Sequence, residues 1–161
     1  MRIFTFIVCF VSFFVFSDNI KAQHTTINWI TFEQLEDSLA IKPKKVFINF
    51  YTDWCAYCKK MDEAAFKNNE VISLLNENYY AVKMDAEYKN SIQFGGKVFT
   101  NKEINKKRNP THEIPLLLGK RKNKEFTLPL TLILDEKFNV VHRYFEYLSP
   151  KKMISILDTV D

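Results

Sequence analysis

Lys45-Val46-Phe47-Ile48-Asn49-Phe50-Tyr51-Thr52-Asp53-Trp54-Cys55-Ala56-Tyr57-Cys58-Lys59 is the stretch on which the reading of this chain turns. From Val46 to Tyr51 five residues are apolar or aromatic and one, Asn49, is polar, the pattern of a buried strand. The strand runs straight into a Cys-x-x-Cys pair, and the residues beyond it predict a helix over about Cys55 to Lys67. Cys55 then sits at a helix N-terminus, where unpaired N–H groups and the helix dipole favour an anion. That lowers a thiol pKa and makes the thiolate available. Cys58, nearly one turn on, is expected within reach of Cys55 but more buried. Exchange through a mixed disulfide needs one cysteine to attack and another to resolve.

On the N-terminal side, Ile27 to Ile30 is a short apolar stretch. Thr31 and Gln34 form a capping box, and Ile30 and Leu35 occupy the staple positions around it. This helix carries Leu35 and Leu39 inward and stops before Pro43. On the C-terminal side, Asn68 or Asn69 opens a helix with Val71, Ile72, Leu74 and Leu75 on its apolar face, and Tyr79 to Met84 reads as a strand ending at Asp85. From Ala86 to Thr127 the pattern weakens. Between Lys97 and Lys124 there are nine basic and two acidic residues, ordinarily a solvated face. If the segment borders the cysteine motif, it should favour acidic partners through screened attraction. Pro110 to Glu113 opens a short helix carrying Leu116 to Leu118 and ending at Gly119. Beyond Leu128-Pro129 come a strand at Leu130 to Leu134, a hairpin turn at Asp135 to Asn139 and a returning strand from Val140 to Tyr147. Ser149 as N-cap and Pro150 at the first helical position open a last helix, with Met153, Ile154 and Leu157 inward. A β-α-β unit followed by a hairpin and a helix implies an α/β sandwich with a mixed sheet.

The chain has 161 residues, 47% hydrophobic and 26% charged, with 3 Gly and 5 Pro. One globular domain fits; a collagenous, low-complexity or disordered chain does not. A formal charge of +4 is too weak to imply a nucleic-acid partner. At the N-terminus, Arg2 precedes an apolar run from Ile3 to Phe16, then Ser17-Asp18-Asn19 and the small Ala22. This predicts a secretory signal peptide over residues 1–22. Fourteen residues of helix span roughly 21 Å, short of a hydrocarbon core of roughly 30 Å. Cys9 lies inside the run, not at its end where a lipid-anchoring cysteine would sit. Cleavage after Ala22 removes Arg2, Asp18 and Lys21, leaves a charge of +3, and leaves Cys55 and Cys58 as the only thiols. Disulfides persist outside the cytosol. A bridge closing so short a loop adds little chain-entropy stabilisation, so redox chemistry outranks stapling.

With these markers the sequence resembles the thioredoxin-like family over roughly residues 27 to 160, apart from the central insertion. The strand Val46 to Tyr51, then Trp54-Cys55-x-x-Cys58-Lys59, then Leu128-Pro129 before a strand carry the resemblance. Lys45-Val46-Phe47, Asp53-Trp54-Cys55, Asn69-Glu70-Val71-Ile72 through Asn78, and Leu134-Asp135 through Pro150 are similar to exported proteins of the thiol:disulfide interchange type. The resemblance implies a thioredoxin fold over residues 23–161, a mixed central sheet flanked by helices with an insertion at about 86–127 before a cis-proline. It implies that Cys55 is the nucleophile, Cys58 the resolving thiol and Pro129 the cis-proline beside them, with Trp54 and Lys59 part of the motif.

Four departures qualify it. The buried Asp that thioredoxins place six residues before the nucleophile, where it helps deprotonate the resolving thiol, is here Asn49. The Lys that accompanies it aligns with Ala81. Leu130 stands after the proline in place of Thr, and Glu146 where a Gly precedes the last helix. The stretch between Asp85 and Pro129 is longer than in a minimal thioredoxin. The expectation is therefore an exported, monomeric thiol–disulfide oxidoreductase, most simply a reductase of other exported proteins in the periplasm of a Gram-negative bacterium. It needs no diffusible cofactor and is recharged by an electron donor at the membrane. The alternatives use the same residues differently. A copper carrier needs only the two thiolates, whereas a zinc site needs four ligands, and only His24, His112 and His142 are added in the mature chain. An interaction module would rely on the basic insertion alone.

Overall fold

A computed structural model describes residues 25–159; the signal peptide expected over residues 1–22 lies outside them. Thr31 caps the first helix as its spacing implies: its Oγ1 accepts the Gln34 N–H while the Gln34 side chain accepts the Thr31 N–H. The elements are β1 (Trp29–Ile30), α1 (Phe32–Ile41), β2 (Lys45–Tyr51), α2 (Ala56–Glu63), α3 (Asn69–Asn78), β3 (Tyr79–Asp85), β4 (Ile92–Phe94), β5 (Lys97–Phe99), α4 (Glu113–Leu118), β6 (Leu130–Leu134), β7 (Val140–Tyr144) and α5 (Pro150–Thr159). Five strands form one sheet in the order β1-β3-β2-β6-β7. β1 and β2 run parallel to β3, while β6 runs antiparallel to β2 and β7 to β6. The sheet is mixed, as expected.

Alternation along the central strands sorts the core onto two faces. Phe47, Ala81 and Ile133 meet Met61 of α2, Val71 and Leu75 of α3 and Met153 and Leu157 of α5. Val46, Ile48, Phe50, Leu132 and Leu134 meet Phe32 and Leu35 of α1 and Ile114 of α4. Burial of β2 on both faces explains its nearly continuous apolar run.

Two boundaries and one element differ from the sequence expectation. The helix expected over Cys55 to Lys67 ends at Glu63 and continues as a 3-10 turn at Ala65–Lys67. The break lets Asn68 turn extended and cap α3, its Oδ1 accepting the N–H groups of Glu70 and Val71. β7 stops at Tyr144, not Tyr147, because β6 offers partners only as far as Thr131↔Tyr144. A hairpin at Ile92–Phe99 was not anticipated. Gly95 and Gly96, at φ +60° and +68°, make the two-residue turn that requires positive φ at both positions. Its apolar side places Ile92, Phe94 and Phe99 against the α1 face of the core. The signal was present: a Gly-Gly pair between short alternating runs.

Candidate active site

β2 and β3 run parallel, so their C-terminal ends open at the same edge of the sheet, where the cysteine motif begins. Cys55 is the N-cap of α2. Its backbone N–H donates to the Thr52 carbonyl at 3.1 Å, and its Sγ accepts the Cys58 N–H at 3.2 Å. A first-turn N–H directed at sulfur is the arrangement that favours thiolate over thiol. Cys55 and Cys58 are joined as a disulfide with Cα atoms 5.2 Å apart. Exposure separates the two thiols little, at 5% and 2%; helix position distinguishes them, burial barely does. The exposed side chains are their neighbours: Trp54 at 57% and Tyr57 at 61%. Tyr57 leans on Tyr147, whose ring also carries the Lys60 ammonium at 4.7 Å. Lys59 is exposed on α2.

The Leu128–Pro129 bond is cis. Leu130 pairs with Phe50 across the antiparallel β2–β6 ladder, so Pro129, one residue earlier, lies at the same sheet end as the cysteine motif.

Asn49 is 2% exposed and its Nδ2 donates to Thr131 Oγ1 at 3.2 Å. It shares a sheet face with Phe47, which packs with Met61. Cys58 lies three residues before Met61, on the same inner face of α2. Asn49 and Cys58 are thus both on the side of the sheet that α2 covers. The structure corrects the placement of the neighbouring lysine. Ala81 pairs with Phe47, and it is Lys83 that pairs across the sheet with Asn49. Its ammonium is held by Asp62 at 2.5 Å and lies over the Tyr51 ring. Two residues decide the point because only parallel register, not sequence spacing, aligns one strand with the other.

The insertion does border the motif, but with few of its basic side chains. A cavity of about 520 Å³ is lined by Thr52 and Trp54 on one side and by insertion residues including Glu103, Lys107, Glu125 and Phe126 on the other. Glu87, after β3, also lines it and accepts the Trp54 indole N–H at 2.8 Å. Of the nine basic residues in the segment only Lys107 lines this space, and it pairs with Glu103. Lys102 pairs with Glu113, while Arg121 stacks on Phe145 and donates to the Glu125 carbonyl and to Thr127 Oγ1, on two residues of the lining. The expected attraction for acidic partners is therefore not what the wall presents. Sequence reasoning missed Glu87 and Thr52; the available signal was that residues following parallel strands gather at one sheet edge.

His112 anchors the insertion. It is fully buried, its N–H donates to the Ala86 carbonyl at 2.8 Å, and its Nδ1 caps α4 by accepting the Ile114 N–H at 3.2 Å. Burial holds the imidazole pKa below its ordinary value, opposed by the nearby Phe99 backbone and the Glu113 carboxylate. Glu113 is held down to about 2 by Lys102 and the Thr100 N–H. Among the described residues no group of three or more His, Cys, Asp or Glu side chains is placed to hold a metal ion, and no helix is long and apolar enough to cross a membrane.

A family model described as a thioredoxin-like domain matches residues 32–161. The thiol:disulfide interchange protein DsbD of Campylobacter jejuni is 32% identical over 74 residues, 46% of this chain and 12% of that protein's length. Among solved structures, the DsbH oxidoreductase superposes with a TM-score of 0.58 at 16% identity over 85% of each chain. A thioredoxin from Thermus thermophilus gives 0.58 at 16%, over 84% of this chain and 87% of that one. At such identities the superpositions speak to fold.

Proposed function

Since the chain belongs to the thioredoxin-like domain family, matched over residues 32–161, we propose that it is an exported thiol–disulfide oxidoreductase that reduces disulfides of other exported proteins. The observation that carries this reading is Cys55 at the N-cap of α2 with the Cys58 N–H directed at its sulfur. In the reduced protein the Cys55 thiolate attacks a substrate disulfide. A Cys55–substrate bond forms, the substrate S–S bond breaks, and one substrate thiolate leaves. The Cys58 thiol loses its proton and attacks Cys55 Sγ. The mixed disulfide breaks, the second substrate thiolate leaves, and the Cys55–Cys58 disulfide remains. Two electrons have passed to the substrate, and a thiol donor at the membrane returns them.

Trp54 and Pro129 border the exchanging sulfurs and shape the approach, while Asn49 and Lys59 modulate them. The signal peptide over residues 1–22 delivers the domain as a monomer to the periplasm. The first test is trapping. Cys58→Ser should accumulate substrates as mixed disulfides on Cys55, because attack proceeds and resolution does not. Cys55→Ser should accumulate none. Equal trapping by the two variants would overturn the assignment of nucleophile and resolver.

A further inference from the structure

The cavity beside Trp54 carries a charge opposite to that of the segment that walls it. Lys107 and Glu103 cancel, and the Glu103 carboxylate also accepts the Thr111 N–H. That leaves Glu87, on the sheet side, and Glu125, on the insertion side. Among the described residues neither forms an ion pair, and Glu87 is engaged only by the neutral indole of Trp54. An independent feature of the same space points to a ligand. Thr52 lines it, is 2% exposed, and its buried hydroxyl has no hydrogen-bond partner. A buried hydroxyl left unpaired is destabilising unless something supplies the partner. At about 520 Å³ the space is of the size that binds ligands, roughly 300–1,000 Å³. It is larger than one water needs, and it begins at the residue before Cys55.

We propose that this cavity receives the polypeptide segment flanking a substrate's reactive cysteine and selects a lysine or arginine within it. The cation is drawn to Glu87 and Glu125, and a polar group of the segment meets the Thr52 hydroxyl. This rests on the thiol–disulfide reading and adds the substrate class: basic around the cysteine, not acidic. Arg121 reaches the same wall, its guanidinium donating to the Glu125 carbonyl and the Thr127 hydroxyl while stacking on Phe145, so Glu87, Glu103 and Glu125 stand against Lys107 and Arg121 and the balance stays negative.

The test uses the reduced mature protein and peptides that differ only in the residues flanking one cysteine, Lys or Glu, each as a mixed disulfide with 2-mercaptoethanol. Each rate of protein oxidation is divided by the rate of the same peptide with dithiothreitol, which removes the effect of flanking charge on the disulfide itself. The expected Lys-to-Glu ratio is roughly 3 to 10 at low salt, the size of one or two exposed charge pairs, falling towards 1 in 1 M salt. It should collapse in the Glu87→Gln/Glu125→Gln protein, where the side-chain amide introduced beside Trp54 keeps an acceptor for the indole. It should persist in Lys122→Gln, which alters an exposed lysine away from the cavity. A ratio of 1 or below in the unaltered protein, or one that survives the double substitution, overturns the proposal. If 2-hydroxyethyl disulfide oxidises the protein while the peptides are not distinguished, this inference alone fails. If neither peptide nor that small disulfide reacts, the thiol–disulfide reading fails and takes this inference with it.

Discussion

Asn49→Asp restores a carboxyl where the thioredoxin-like family places one, and the structure sets the size of the effect. The site is 2% exposed and offers one side-chain partner, Thr131 Oγ1 at 3.2 Å. The nearest cation across the ladder, Lys83, is committed to Asp62. Desolvation therefore dominates and raises the carboxyl pKa by roughly 2–3 units above its ordinary value of about 3.9. A raised carboxyl pKa means that the folded state holds its proton longer than the unfolded state. No charge penalty exists below about pH 4, where both states are protonated. It opens as pH climbs through the unfolded value and is complete above the folded one, at about 3–4 kcal/mol. Urea unfolding of the oxidised proteins, in which neither cysteine titrates, measures this directly. Asn49→Asp should lie within about 1 kcal/mol of the parent at pH 3.5, the scale of one exchanged hydrogen bond, and fall behind by the full amount at pH 8. The same ionised carboxylate is a base towards Cys58. Single-turnover release of a mixed disulfide should accelerate near neutral pH, by up to the roughly 10²–10⁴-fold of general base catalysis. A stability difference that is equal at pH 3.5 and pH 8 would refute the burial argument. An unchanged release rate in a folded variant would refute a role for position 49 as a base towards Cys58.

Three further outcomes are expected. A reductase requires the Cys55–Cys58 couple to equilibrate with glutathione or dithiothreitol at about −270 mV, whereas a value near about −120 mV would make the protein an oxidant. Expression of the full chain in a Gram-negative host should release, on osmotic shock, a protein whose intact mass begins at Gln23; recovery of Met1 or retention in the cytosol would refute export. The depressed His112 pKa means the unfolded state takes up the imidazole proton first. Its contribution to stability is thus present above about pH 6.5 and is lost as pH falls towards the folded value. His112→Asn keeps an N-cap that does not titrate in this range. It should be less stable at pH 7.5 through lost packing, yet lose less in melting temperature between pH 7.5 and 5 than the parent. Equal losses would show that His112 does not titrate with unfolding.

The fold was legible wherever neighbours in sequence carry the physics. The Thr31–Gln34 capping box, the helix start at Asn68 or Asn69, the buried run Val46–Tyr51 and the Ser149-Pro150 helix start are contacts within a turn or alternations within a strand, and each stands in the structure, with Asn68 as the cap of α3. Where such signals were weak or overridden the reading faltered. The Gly95-Gly96 hairpin sat in a segment without strong periodicity, and the α2 boundary moved because the next helix claimed Asn68 as its cap.

Local pattern alone determined the cysteine pair at a helix start, the proline before β6 and the polar intruder Asn49. Tertiary structure decided what surrounds them. Parallel register, not spacing, put Lys83 rather than Ala81 beside Asn49, because a two-residue shift along a strand leaves the alternation of faces unchanged. Packing turned the insertion so that Glu103, Lys107 and Glu125 face the cavity beside Trp54. Composition records how many charges a segment holds. Which of them meet a site far away in sequence depends on how the chain returns across the sheet, and that is a property of the packed core.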